Sequence, residues 1–347
     1  MKLTDLLDID VPLIQAPMAG AQGHALASAV SNAGGLGSQP CAMLNADAMR
    51  TELAAIRAAT GKPINVNFFC HVPPVFDAER EARWRTLLSP FYEKCGLDAQ
   101  KITAAPGRAP FTAEAADVLE DFKPAVVSFH FGLPSDALLA RAKATGAKIV
   151  SSATTVEEAL WLEVRGVDAV IAQGLEAGGH RGMFLSDDLS TQMGTFALLP
   201  QVVRAVSIPV IAAGGIADAR GISAAMALGA AGVQIGTAFL LCPESTITPL
   251  HRAALKGDAA RHTALTNLFT GRPARGIMNH VMRELGPMNS AAPRFPLATG
   301  AIAPLRAKAE SEGCSDFSPL WSGQNASGCK DAPAAQLMRE LAAGFDC

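Results

Sequence analysis

The run Ala172-Gln-Gly-Leu-Glu-Ala-Gly-Gly-His-Arg-Gly182 sets His180 among glycines. An imidazole with that much room can reach a ligand, and its ordinary pKa near neutrality suits it to taking or giving a proton. A solvent-facing loop histidine fits the same residues. His130, in Ser128-Phe-His-Phe-Gly132, alternates with Phe129 and Phe131 and so points to the opposite side, into a core or a mouth. A hydrogen-bonded core histidine is the plainer reading there. Other runs offer backbone in place of side chains. Ala16-Pro-Met-Ala-Gly20 exposes backbone able to hydrogen-bond a flat heterocycle, although an ordinary Pro/Gly turn explains it as well. Ala212-Ala-Gly-Gly-Ile216 and Gln234-Ile-Gly-Thr237 leave amide N–H groups uncovered by side chains, which suits an anion such as phosphate.

The elements that must position these runs are readable from periodicity. Short β-branched stretches lie near Val11–Pro17, Gly35–Gln39, Ile64–Phe69, Ala125–Phe131, Lys148–Ser152, Ala169–Gln173, Val210–Ala213 and Gly232–Gly236. Helical stretches separate most of them, near His24–Asn32, Asp47–Ala59, Ser135–Thr145, Thr155–Arg165, Thr195–Val206 and Asp218–Leu228. Glycine follows the helical stretches at Gly146, Gly166 and Gly229, the usual stop signal. This alternation predicts an α/β chain folded as a (β/α)8 TIM barrel over residues 1–243, with an insertion at about 71–123 between the third and fourth strands. An open doubly wound sheet is the competing arrangement, but no Gly-x-Gly-x-x-Gly follows the first strand. Residues 244–347 are broken by prolines and are expected to form a mainly helical C-terminal cap on the substrate side. In such a barrel every chemically unusual run above falls at a strand C-terminal end, and the last two strands are where phosphate is commonly held.

Composition excludes several classes. With 347 residues, 49% hydrophobic and 18% charged, the chain can bury a large core and does not read as disordered. The 29 basic and 32 acidic residues leave a formal charge of −3, so no basic field exists to attract nucleic acid or an anionic membrane. The stretch Gly221 to Pro243 lacks charge and is long enough to span a bilayer, yet its glycines and polar residues favour a helix followed by a strand. The start of the chain reads as neither a secretory signal nor a mitochondrial presequence, so a cytoplasmic location is expected. Seven cysteines at 41, 70, 95, 242, 314, 329 and 347 form no Cys-x-x-Cys pair and are expected to be reduced thiols. No metal motif, nucleophile elbow or Walker loop appears, so no metal is expected and a phosphate-bearing cofactor must supply the reactivity.

Taken in order, Gln15-Ala-Pro-Met-Ala-Gly20, Ser31-Asn-Ala-Gly-Gly-Leu-Gly-Ser38, Asn65-Val-Asn-Phe-Phe69, Ser128-Phe-His-Phe-Gly132, the His180 run, Ala212-Ala-Gly-Gly-Ile216, Gln234-Ile-Gly-Thr-Ala-Phe239 and Trp321-Ser-Gly-Gln324 resemble the nitronate monooxygenases, formerly 2-nitropropane dioxygenases. The resemblance implies FMN as cofactor. It implies that the backbone of Ala16, Pro17 and Met18 together with Asn67 contacts the isoalloxazine, with Gln173, Gly178 and Gly179 nearby. Gly214, Gly215 and the Gln234, Ile235, Gly236, Thr237 turn would hold the phosphate. His180 takes the catalytic place, and His130 lines the substrate cavity as a second candidate catalytic histidine. The implied reaction is oxidation by O2 of small alkyl nitronates such as propionate 3-nitronate, or of nitroalkanes, to a carbonyl compound plus nitrite or nitrate, a detoxification. The alternative on the same barrel is an FMN-dependent NAD(P)H reductase of quinones or enoyl thioesters. Some family members carry two tyrosines and a lysine at four-residue intervals in the tail, where this chain has Phe295, Thr299 and Ala303.

Overall fold

The computed structural model describes residues 2–102 and 108–345; Met1, residues 103–107 of the expected insertion, and Asp346 and Cys347 lie outside the described residues. Eight parallel strands build the centre: β1 (Leu13–Gln15), β2 (Gly37–Pro40), β3 (Ile64–Phe69), β4 (Val126–His130), β5 (Lys148–Ala153), β6 (Ala169–Gln173), β8 (Val210–Ala213) and β9 (Gly232–Ile235). A two-residue strand, β7 (Gly179–His180), stands outside this set. The order β1-β9-β8-β6-β5-β4-β3-β2 is closed by a parallel bridge from Ile14 to Leu36, with Gln15 N donating to Leu36 O at 2.9 Å. A closed sheet has no unpaired edge, so the doubly wound alternative is excluded.

Period-two alternation along each strand sorts residues into two layers. Val66, Phe68, Val127, Phe129, Val170, Ala172 and Val233 face outward into the main core beneath the helices. Ile14, Val126, Val150, Ile171 and Ile211 face inward, where Leu3, Leu6 and Leu7 of the first helix plug the barrel's N-terminal end. One period further along the strands the inward positions turn polar, as Asn67, Ser128, His130, Ser152, Gln173 and Gln234. An aliphatic floor under a polar upper layer puts the hydrogen-bonding capacity at the C-terminal mouth.

Between β5 and β9 the outer helices start where the sequence expects, capped by Thr155 onto Glu158 N and by Asp218 onto Gly221 N at 2.8 Å. Gly146, Gly166 and Gly229 all take positive φ after their helices. The uncharged stretch 221–243 splits into helix Ala219–Ala227, β9 and a short 3₁₀ turn, and no helix among the described residues is long and apolar enough to cross a membrane.

The tail is mainly helical, as expected, and carries two strands besides. Its strands β10 (Thr263–Thr266) and β11 (Ala274–Ile277) pair antiparallel, and β11 also pairs with β7. Helix Thr299–Ser311 packs Ala301, Ile302 and Leu305 against Trp84, Leu88 and Tyr92 of helix Ala78–Lys94, so insertion and tail share a second core over the mouth. Tyr92 Oη donates to Ala301 O at 2.7 Å within it. The last helix, Ala334–Ala342, leaves that cap and returns to the barrel wall between helices His24–Asn32 and Ala219–Ala227. Its Ala334, Leu337, Met338 and Leu341 form an apolar stripe at i, i+3, i+4, i+7 and join the main core. It thereby supplies the helix that the chain omits directly after β9.

Candidate active site

Every residue singled out in the sequence, from Ala16 to Thr237 and including both histidines, lines one cavity of about 240 Å³ at the C-terminal ends of the strands. The tail contributes Arg306, Glu310, Trp321, Gly323 and Asn325 to its walls, and the insertion contributes Arg108.

His180 is held from several sides. As part of β7 it is opposite Ala274 of β11, and its carbonyl receives Gln173 Nε2 at 3.0 Å and His130 Nε2 at 3.2 Å. Its ring lies 5.4–6.0 Å, centroid to centroid, from Phe295, Trp321, Phe69 and Phe131. Its Nε2 is 3.0 Å from Thr270 Oγ1, while Nδ1 has no hydrogen-bond partner among the described residues. The Thr270 hydroxyl is also 3.5 Å from Arg272 O, a group that only accepts. With the hydroxyl proton on that carbonyl, Nε2 carries hydrogen and Nδ1 keeps its lone pair. Burial pushes His180 well below its ordinary pKa, and the charges of Arg108, His130, Arg272 and His71 push the same way. The imidazole is therefore neutral at neutral pH.

His130 differs from the catalytic expectation. A carbonyl only accepts, so Nε2 must donate to His180 O, and Nδ1, 3.1 Å from Ser152 Oγ, must accept. Both nitrogens are engaged, and burial lowers the pKa to about 4 even though the bond to His180 O raises it. His130 thus fixes the His180 loop and is not free to exchange protons with a ligand. Phe131 also departs from simple alternation. Its φ of +69° turns the chain, so its ring lies 4.6 Å from that of His130 instead of on the far side. Gln173 uses both ends of its amide on the loop, donating to His180 O and accepting from Gly182 N at 2.8 Å. Arg181 is fully buried and bridges Gly174 O, Gln173 O and Gln192 Oε1 at 2.6–3.0 Å. The glycine-rich loop is consequently rigid, not open.

The turns after β8 and β9 present donors. None of the N–H groups of Gly214, Gly215, Gly236 or Thr237 goes to a turn or loop carbonyl among the described residues. Gly214 and Gly215 have φ of +117° and +72°, which frees their amides to face the cavity. Asp218 caps the helix after β8 with its own carboxylate, so that helix end is already served, whereas the short turn Thr237–Leu241 begins at the cavity wall. The tail straps this corner: Gly323 N donates to Thr237 Oγ1 at 2.9 Å and Asn325 Nδ2 to Gly215 O at 3.0 Å. Gln234 Oε1 is buried with no partner among the described residues, and a Cβ at Gly179 would enter open space. Open amides, an orphaned acceptor and room fit a phosphate-bearing heterocycle. Of the expected backbone donors, Met18 N is taken by Gln22 Oε1 at 3.1 Å and Ala16 N by Ile235 O at 2.8 Å. Asn67 Nδ2 goes to Ser128 Oγ at 2.9 Å. Thr270 and Phe69 are additions that sequence reading missed. Phe69 was recoverable, since it shares a strand face with Asn65 and Asn67, whereas Thr270 carries no local signal. Among the described residues no group of three or more His, Cys, Asp and Glu is arranged to hold a metal.

A family model described as nitronate monooxygenase matches residues 1–344. The chain is 44% identical to a nitronate monooxygenase of Paraburkholderia phytofirmans over 98% of its own length and 93% of that protein's. It is 42% identical to a nitronate monooxygenase of Pseudomonas aeruginosa, with 98% and 97% covered. Among solved structures, the nitroalkane oxidase from Streptomyces ansochromogenes superposes with a TM-score of 0.90 at 39% identity, covering 99% of this chain and 97% of that one.

Proposed function

Because the chain belongs to the nitronate monooxygenase family, we propose that the barrel mouth is where it oxidises small alkyl nitronates with O2, using flavin mononucleotide held at the β8 and β9 turns. The observation that carries this reading is the placement of uncommitted backbone amides and one neutral imidazole in a single cavity. Gly214, Gly215, Gly236 and Thr237 would receive the phosphate, and the Ala16–Gly20 and Gly178–Gly179 segments would flank the ring. When bound, the flavin supplies the electron acceptor that no side chain here can be.

The protein's own groups do the rest. Neutral His180 can accept a carbon-bound proton from a nitroalkane at Nδ1, or order the oxygens of a nitronate that arrives already deprotonated. Thr270, His130 and Gln173 hold it in place, and Phe69, Phe131, Phe295 and Trp321 exclude water from its surroundings. The six described cysteines carry free thiols, in keeping with a reducing, cytoplasmic setting.

The purified protein should show a flavin absorption spectrum, and an alkyl nitronate mixed in anaerobically should bleach it while NADH does not. Rapid bleaching by NADH with no response to nitronate would move the assignment to a nicotinamide-dependent reductase. A colourless protein that fails to take up added flavin would remove the basis of both.

A further inference from the structure

The cavity does not end at His180. Its walls also include Arg108 of the insertion and Arg306 and Glu310 of the tail. Arg306 Nε pairs with Glu310 Oε1 at 2.8 Å, and Glu310 also receives Ser318 Oγ at 2.7 Å. Arg272, which does not line the cavity, donates to Met183 O and lies 4.2 Å over the Phe131 ring, although its Nε too is buried without a partner among the described residues. Arg108 is the exception. Among the described residues no carboxylate or carbonyl accepts from its guanidinium, and its Nε is buried without a partner. Phe111 N, three residues on, donates to Phe69 O at 2.8 Å and anchors this stretch over the end of β3.

Arg108 is coupled electrostatically to two neighbours. It is the leading charge acting on His180, whereas Arg306 acts on Arg108 and His251. Burial together with Arg306 lowers Arg108 to about 10, which leaves it protonated at neutral pH. A largely buried cation beside a second cation is unfavourable unless an anion joins it. Glu310, the acidic side chain on the cavity wall, is already engaged. The tail positions do not help: Phe295 belongs to the ring cluster, Thr299 Oγ1 turns to Phe269 O at 3.0 Å, and Ala303 is aliphatic.

Resting on the nitronate reading above, we propose that Arg108 is the specificity-determining residue of this cavity, receiving the carboxylate of a substrate whose nitronate end lies at His180. The cation comes from the β3–β4 insertion and not from the tail helix. A guanidinium offers two parallel N–H donors to a carboxylate, which Lys matches only in charge.

The test is the ratio of kcat/KM for propionate 3-nitronate to that for propyl-1-nitronate, which has no carboxylate. Arg108→Gln should lower this ratio about 10- to 100-fold, mainly through KM for the carboxylate substrate. Arg108→Lys should recover part of it, which also guards against a folding defect in the Gln variant. Butyrate should compete with propyl-1-nitronate in the wild type and lose that ability in Arg108→Gln. An unchanged ratio would overturn the proposal, as would a wild type that oxidises propyl-1-nitronate but not propionate 3-nitronate. A wild type inert to both nitronates would instead strike at the functional reading itself.

Discussion

A nitroalkane enters the site as a neutral carbon acid and must lose a proton, whereas a nitronate has lost it beforehand. If Nδ1 of His180 is the acceptor, His180→Asn should lower kcat/KM on a nitroalkane by about 100-fold or more, the usual worth of a positioned base. Turnover of the matching nitronate should fall by less than about tenfold, since Asn still donates a hydrogen bond. Equal losses on the two substrates would assign His180 to binding alone. Its pKa direction adds a second readout. A base works when unprotonated, so burial and the charge of Arg108 should keep nitroalkane turnover level from pH 8 down through 6.5. A decline centred near 6.5 would mean that the imidazole is solvated. At this scale the sequence nominated His180, through its glycines, and also His130, whose two nitrogens prove to be engaged. Hydrogen-bond partners 22 and 50 residues away leave no trace in a local motif.

On the proposed reading, cofactor retention depends on the strand ends. A Cβ at Gly214 would stand 2.8 Å from Thr195 Oγ1 and 3.1 Å from Gly174 O, on a backbone already at positive φ. Gly214→Ala should therefore cost about 1–3 kcal/mol of stability and release flavin from the purified protein. Gly313→Ala is the matched control, since Gly313 also has positive φ but open space around it, beyond the end of helix Thr299–Ser311. It should lower stability modestly and keep its flavin. If both variants retained flavin equally, the β8 turn would not be the anion cradle. All eight barrel strands were legible as short runs between helical stretches, with β3, β6 and β8 matching end to end, although β2 (Gly37–Pro40) holds no β-branched residue. The tail strands β10 and β11 were not legible, because Thr263–Thr266 and Ala274–Ile277 are four-residue runs whose order comes from pairing with each other and with β7.

For the whole molecule, buried neutral histidines set the response to acid. Burial holds His71, His130 and His251 near pKa 4, below the ordinary value of 6.5. Between those values the unfolded chain binds more protons than the folded one, so stability is complete above about 6.5 and is lost as pH falls toward 4. Urea unfolding at a series of pH values should show this slope, each histidine contributing up to about 1.4 kcal/mol per pH unit. His251→Gln, which can still donate to Trp321 O, should flatten it by up to one proton. A pH-independent midpoint over that window would refute the linkage.

Local order determined the barrel, because strand alternation, helix stripes and glycine stops each act within about ten residues of chain. It also brought the candidate strand ends together, since a parallel barrel sends all of them to one face. Only the tertiary structure decided which histidine stays free, that the His180 loop is clamped by Arg181 and β11, and that the last helix closes the barrel wall. Apart from the Arg181 bonds, which span 7 and 8 residues, those outcomes depend on partners far apart in the chain, brought together by burial and hydrogen bonding that no short stretch of sequence encodes.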